Sequence, residues 1–365
     1  MNEPNQIQQS EFEEISAIVY GEFQVDEALL EHGVPTYYLT QPQETKQAFL
    51  RLLKKLEGKN LMPILRRNDG KVVLKVVSKP ATKPTNTMVN WILFFVTIFT
   101  TFYTGYIYTE SLYKSYKISF GFTPVIGGVT FAASIMIVLG IHEMGHKIAA
   151  NKNRIEATFP YFIPGPPPID GMLGIGTFGA VIMQKSLPPN KDALFDVGAS
   201  GPVLGFIASV AASILGIPLS RYVVVPKTQV GLPTPLLFIL LERLIPPSSP
   251  IPPVGSGEVV GLALHPVAFA GWVGIIVTML NLLPAAMLDG GHIAKSLLNE
   301  KMRMILTALS IILLVIENFW PMALFILFLS MYRHPGPLDG VSSLSRSRKI
   351  FVVGLLIIFV LCFFI

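Results

Sequence analysis

The sequence has little that a soluble enzyme of its length would carry. Charged residues make up only 14% of its 365 positions, against about 25% in an average soluble domain. Cysteine occurs once, at Cys362, so no disulfide can form within the chain and the redox compartment is left unmarked. There is no glycine loop of the kind that cradles phosphates, and no motif for nucleic acid. The first residues are polar and acidic, which does not read as a cleavable signal peptide. What the chain has in excess is apolar sequence: 51% hydrophobic residues and a mean hydropathy of +0.56. The balance is that of an integral membrane protein. The net charge of +5 is modest, and its basic residues cluster beside apolar runs, which points to membrane orientation rather than to nucleic acid.

The organisation read from the chain has three parts: a small soluble α/β domain over residues 1–80, a linker over 81–87, and a mainly α, polytopic transmembrane bundle over 88–365. In the first part, Val34–Leu39 reads as a strand. Ala48, Phe49, Leu52, Leu53 and Leu56 line one face of a helix between Glu44 and Lys59. Two further strands, Leu61–Arg66 and Lys71–Val77, meet at Asn68-Asp69-Gly70, a hairpin signal. With a helix over Phe12–Glu22, the expected core is a β-α-β-β unit. No catalytic cluster lies in it, so regulation, substrate docking and a solubilising cap all remain open.

Apolar spans follow at Met88–Tyr108, Thr123–Ala150, Leu194–Ile217, Leu262–Leu283, Met302–Ile316, Pro321–Met331 and Ile350–Ile365, and six to eight crossings are expected. The sixth is too short alone, and Leu236–Leu244 reads as an interfacial segment. Basic clusters flank these spans: Lys71, Lys75, Lys79 and Lys83; Lys147, Lys152 and Arg154; Lys185 and Lys191; Lys295, Lys301 and Arg303; and Arg333, Arg346, Arg348 and Lys349. A seven-span arrangement puts all of them on one side, the cytosolic one, together with the N-terminal domain.

Ionisable groups inside a span are costly and usually functional. The second span contains His142-Glu143-Met144-Gly145-His146. Residues four apart share a helix face, so both imidazoles can hold one Zn2+, with Glu143 beside them as general base. The bland alternative is a pair of core or capping histidines. Catalytic zinc takes three protein ligands and leaves a position open. The third is sought in Asn281–His292, where Pro284 breaks the helix and Gly290-Gly291 allow a tight bend. Asp289 and His292 compete for the role. His265 and His334 read as structural.

The pair HEMGH and NLLPAAMLDGG resembles the site-2 protease family of zinc intramembrane metalloproteases. The likeness runs from about Thr123 to Asp289 and extends to FPYFIPGPPP, GTFGA, GASGPVLGF and HPGPLDG. The soluble N-terminal part, without an inserted PDZ-like segment, is similar to a subgroup found in archaea, cyanobacteria and plastids. The resemblance implies His142, His146 and Asp289 as zinc ligands and Glu143 as the base. It implies Asn281 near the scissile carbonyl. It also implies a re-entrant β-like element in Phe159–Gln184, with Gly176, Thr177 and Gly179 as substrate contacts, although a plain loop explains these three as well. Gly201-Pro202 in GASGPVLGF reads as a helix-packing feature first. The activity implied is hydrolysis of peptide bonds in or near the transmembrane segments of single-pass or other membrane proteins within the bilayer. Two rival readings are a catalytically silent membrane chaperone or scaffold and a metal transporter. Substrate identity and oligomeric state are not encoded in any motif.

Overall fold

The computed structural model describes residues 9–81, 87–168, 174–228, 231–332 and 334–363. Most of the expected linker lies outside the described residues, as do Lys83 and Arg333 of the basic clusters and residues 169–173 of the Phe159–Gln184 stretch.

The N-terminal unit runs α1 (Gln9–Tyr20), β1 (Val25–Glu31), β2 (Val34–Leu39), α2 (Lys46–Glu57), β3 (Leu61–Asn68) and β4 (Lys71–Ser78). Its strands form one antiparallel sheet in the order β1-β2-β4-β3. The Asp69-Gly70 turn has positive φ at both residues, +47° and +82°, as a tight hairpin with a right-handed twist requires. The apolar face of α2 closes the core: Phe49, Leu52 and Leu56 are fully buried against Tyr37, Leu65, Leu74 and Val76. β1 is an addition to the β-α-β-β expectation. Its sequence, VDEALLE, lacks a clean alternation because it is an edge strand with half-exposed residues.

The unit docks through β3. Leu65 N–H donates to the Leu338 carbonyl at 3.0 Å, and Gly340 N–H donates to the Leu65 carbonyl at 3.0 Å. The other side of this strap is held by Leu338 N–H on the Pro188 carbonyl and Asp339 N–H on the Pro189 carbonyl, at 2.8 and 3.0 Å. The Leu338 side chain enters the core of the N-terminal unit. Lys46 Nζ reaches Asp192 Oδ2 at 2.9 Å, and Arg348 grips Asp196 through two bonds of 2.7 Å.

The body continues with α3 (Thr87–Tyr116), α4 (Pro124–Lys152), β5 (Tyr161–Pro164), β6 (Thr177–Val181), α5 (Lys191–Gly216), β7 (Arg221–Pro226), α6 (Leu236–Leu244), β8 (Glu258–Ala263), α7 (Pro266–Leu282), α8 (Asp289–Leu297), α9 (Glu300–Ile316), α10 (Trp320–Ser330) and α11 (Arg346–Cys362). Among the described residues, three helices, α3, α4 and α5, are long and apolar enough to cross a membrane. The later apolar runs give shorter helices. α7 has 17 residues, about 26 Å at 1.5 Å per residue. α10 has 11, about 17 Å, because a turn at Glu317–Phe319 splits its run from α9. β5 and β6 pair as an antiparallel hairpin in the proline- and glycine-rich stretch where a β-like element was expected. A second hairpin, β7–β8, was not foreseen. It is divided by a long proline-rich insertion, which hides the pairing from a local reading. The aromatic core under these helices includes Phe131, Phe269 and Trp272.

Candidate metal centre

α4 carries His142 and His146 one turn apart, and the pair faces α5 and α7. The approach of α5 requires glycine. A Cβ at Gly201 would overlap the His146 ring, and one at Gly205 would come within 2.6 Å of His142 Nδ1. This Gly-x-x-x-Gly spacing is a close-packing device between helices in a membrane. GASGPVLGF was read as packing, and packing it is, but the surface it packs on is the histidine pair itself. Local sequence carries no sign of that partner.

His146 Nδ1 donates to the Val197 carbonyl at 2.7 Å. A carbonyl only accepts, so Nδ1 holds the proton and Nε2 keeps its lone pair. That Nε2 lies 3.2 Å from His142 Nε2. Asp289 arrives from the other side as the first residue of α8, where the positive end of the helix favours a carboxylate. The turn from α7 to α8 is tight. A side chain at Gly290 would overlap the Leu282 and Leu283 carbonyls, and one at Gly291 would overlap those of Ala285 and Ala286. Asp289 Oδ2 thereby comes to 3.3 Å from His142 Nε2 and 3.3 Å from His146 Nε2.

The three donor atoms form a triangle with edges of 3.2, 3.3 and 3.3 Å. Tetrahedral ligands about 2.0–2.1 Å from a zinc ion stand about 3.3–3.4 Å apart. The donor set, two imidazole nitrogens and one carboxylate oxygen, is also that of a catalytic zinc site. The residues therefore fit the ion in both chemistry and spacing. It is the one such group of three found among the described residues.

The other expected residues fall as follows. Glu143 is buried beside the triangle, with Oε1 4.0 Å from His142 Nε2, and its carboxylate faces the Ile182 backbone N–H just past β6. Asn281, in the last turn of α7, places Nδ2 3.4 Å from His142 Nε2. His292 turns away: its Nδ1 accepts from His334 Nε2 at 2.7 Å, since His334 Nδ1 is itself the acceptor for Gly336 N–H. Of the two competitors for the third ligand position, only Asp289 joins the triangle. Thr177 is buried, and its hydroxyl serves the hairpin by donating to the Ile163 carbonyl at 2.8 Å. Gly176 and Gly179 have φ of +76° and +101°, and space is open around Gly179. His265 caps α7, accepting Val267 N–H, away from the centre. Val197, Gly201, Gly205 and Ile182 were not among the expected site residues. Their parts depend on contacts across 39 to 63 positions of chain, which no local pattern reveals.

Comparison with known proteins agrees with this chemistry. The model of peptidase family M50 matches residues 130–317. The chain is 32% identical over 162 residues to "Probable zinc metalloprotease EGY1, chloroplastic" of Oryza sativa subsp. japonica, covering 44% of this chain and 26% of that relative. Its counterpart of the same name in Arabidopsis thaliana is 31% identical over 170 residues, covering 46% and 29%. "Probable zinc metalloprotease EGY2, chloroplastic" of Arabidopsis thaliana is 27% identical over 237 residues, covering 64% and 40%. The chain thus spans well under half the length of these curated relatives. No solved structure matches it.

Proposed function

The chain belongs to peptidase family M50, and from that premise we propose that it is an intramembrane zinc metalloprotease, hydrolysing peptide bonds in or near the transmembrane segments of membrane-protein substrates. One observation carries this reading: two imidazoles and a carboxylate at tetrahedral spacing, with a buried glutamate beside them. His142, His146 and Asp289 would hold the ion. When bound, zinc lowers the pKa of a water toward neutrality and polarises the scissile carbonyl.

The rest is the work of the chain. Glu143 accepts a proton from the attacking water on its carboxylate and delivers it to the leaving amine. The Ile182 N–H faces that carboxylate beside the β5–β6 hairpin. Asn281 offers its Nδ2 as a donor to the developing oxyanion. An unwound substrate segment would lie along the hairpin near Gly176, Thr177 and Gly179. Val197 fixes the tautomer of His146, and Gly201 and Gly205 admit the rings.

The same reading takes residues 1–80 as a soluble domain, 81–87 as its linker and 88–365 as the membrane part. Counting α7, α9, α10 and α11 with α3, α4 and α5 gives seven crossings, within the range of six to eight. α9 and α10 then run out and back, which returns Leu338 to the side of the N-terminal unit it docks on, and α10 is the shortest of them. Each of α7, α9 and α11 has 17 residues, the lower end of what spans a bilayer. The clustering of lysine and arginine supports a cytosolic position for the N-terminal domain and for the side from which water reaches the site.

The test compares membrane fractions from cells expressing the wild-type chain or Glu143→Gln. The variant should retain about one zinc per chain by metal analysis. Its cleavage should fall by about 10²–10⁴-fold, so that intact substrates accumulate and their fragments vanish from quantitative proteomics. An unchanged fragment pattern would sink the assignment.

A further inference from the structure

The seam between the N-terminal unit and the body holds a second feature, a partly open cavity of about 320 Å3. That is the lower end of the roughly 300–1,000 Å3 typical of small-ligand sites. Arg66 of β3 reaches it from the N-terminal unit. Lys191 at the start of α5, Lys295 near the end of α8, Asn299 and Glu300 at the start of α9, and Gly336 of the strap complete its wall.

The charges in this wall do not balance. Glu300 is the one carboxylate in the lining, and its Oε2 is already shared by Lys295 Nζ at 2.8 Å and Arg303 Nη1 at 2.7 Å. Arg66 donates through Nη1 to two carbonyls, Leu65 at 2.9 Å and Leu338 at 2.6 Å. Neither Arg66 nor Lys191 makes an ion pair among the described residues, although both are half-buried. Asp339 lies close by, but its carboxylate is taken by the N–H groups of Val341 and Ser342 and by the Ser342 hydroxyl. Burial holds the Arg66 guanidinium below the usual arginine range, against the pull of Asp339. Asp339 attracts Arg66 and Lys191 through space but bonds to neither, so each half-buried cation has lost water without a direct carboxylate partner in return. Here two such cations line one partly open cavity, one from each side of a seam.

We infer that this cavity is a binding site for a phosphate group, carried either by a small soluble anion or by the headgroup of an anionic lipid. The donor set suits it. The free N–H groups of Arg66 form a planar fork matched to phosphate oxygens, and Lys191 supplies a point charge. The first turn of α9, whose Asn299 cap and Glu300 line the wall, adds the positive end of a 17-residue helix. A bound phosphate joins Arg66 on the N-terminal unit to Lys191 on the body, so it tightens the seam. The inference does not depend on protease activity, because none of these residues belongs to the metal centre.

The experiment uses the full-length chain. Inorganic phosphate is titrated against it in neutral detergent at constant ionic strength, with melting temperature and calorimetry as readouts. In parallel, the chain is placed in nanodiscs of phosphatidylcholine with and without phosphatidylglycerol. Saturable binding and a raised melting temperature are expected with at least one probe. A response to phosphate assigns a soluble anion, and a response to phosphatidylglycerol alone assigns a lipid. Lys191→Gln should weaken the response at least tenfold, as should Arg66→Gln, whereas Lys114→Gln at the far end of α3 should leave it unchanged. Lys191 Nζ makes no hydrogen bond among the described residues, so its variant decides the matter even if Arg66→Gln loosens the strap. Failure of both probes, or a response that survives Lys191→Gln, would overturn the inference.

Discussion

The N-terminal unit and the helical body partition their residues in opposite senses. In the unit, Tyr37, Phe49, Leu52 and Leu74 are fully buried, and ion pairs such as Glu14 with Lys59 lie outside. In the body, Trp91, Phe95 and Phe99 of α3 are 61–67% exposed, whereas His142, Glu143 and His146 are 3–6% exposed. The first pattern is that of a chain folding out of water, stabilised by removing apolar surface from it. The second is what a hydrocarbon solvent selects. There apolar side chains gain nothing by hiding, and helices associate through close packing and hydrogen bonds instead. The two regions should therefore fail for different reasons. The unit should fail when a large side chain is cut from its core, the body when a small side chain is enlarged at a helix contact.

The largest expected effect tests the second half of that contrast. Gly201→Val puts branched bulk where a single Cβ already overlaps the His146 ring. The ring must move. A displacement of about 1 Å at a catalytic centre costs about 10²-fold in rate. Gly201→Val should lose at least that much cleavage and fall below one zinc per chain by metal analysis. The matched change in the N-terminal unit, Gly58→Val, meets no atom within 4 Å and should leave zinc and cleavage intact. Equal behaviour of the two variants would erase the comparison.

Next in size is Phe49→Ala. Truncating a fully buried phenylalanine costs about 3–5 kcal/mol. Hydrogen exchange in the full-length chain should show β2 and β4 losing protection by that amount. Phe99→Ala, on the exposed face of α3, should change stability by less than about 0.5 kcal/mol. Zinc should stay bound in both, because its ligands come from α4 and α8 and are positioned by α5 and α7. Loss of zinc from Phe49→Ala would mean that the strap at Leu338 couples the two regions more tightly than their separate cores imply.

The same contrast explains what could be read from the sequence. The His142–His146 spacing was legible because a helix puts residues four apart on one face whatever surrounds it. The hairpin at Asp69-Gly70 was legible because positive φ is a local demand. Asp289 was visible only as one of two candidates, and what separates it from His292 is the bond from His334, 42 positions away. The partners of Gly201 and the docking of β3 on Leu338 were invisible for the same reason, being contacts between distant segments. β1 was missed because an edge strand buries too little to impose alternation. The break between α9 and α10 was legible as the gap between two apolar runs, whereas three helices, α3, α4 and α5, are long and apolar enough to cross a membrane among the described residues.

The smallest predicted effect concerns Glu22 of the N-terminal unit, a largely covered carboxylate under two exposed cations, Arg51 and Lys55. Burial alone would raise the Glu22 carboxyl, but hydrogen bonds from Lys55 at 2.6 Å and Arg51 at 2.7 Å hold it below the ordinary glutamate range. A carboxyl whose pKa is lowered by folding contributes stability that is complete above its unfolded pKa and disappears as the pH falls through its folded one. The contribution of such pairs is small, about 0–1 kcal/mol, and is screened by salt. Glu22→Gln should therefore cost a little stability at pH 7 and progressively less as acid protonates the folded carboxyl, so the wild-type and variant melting curves converge on acidification. Added salt at pH 7 should bring them together as well. A gap that persisted in acid would mean that the side chain acts by packing, as the core of this unit does, and not by charge.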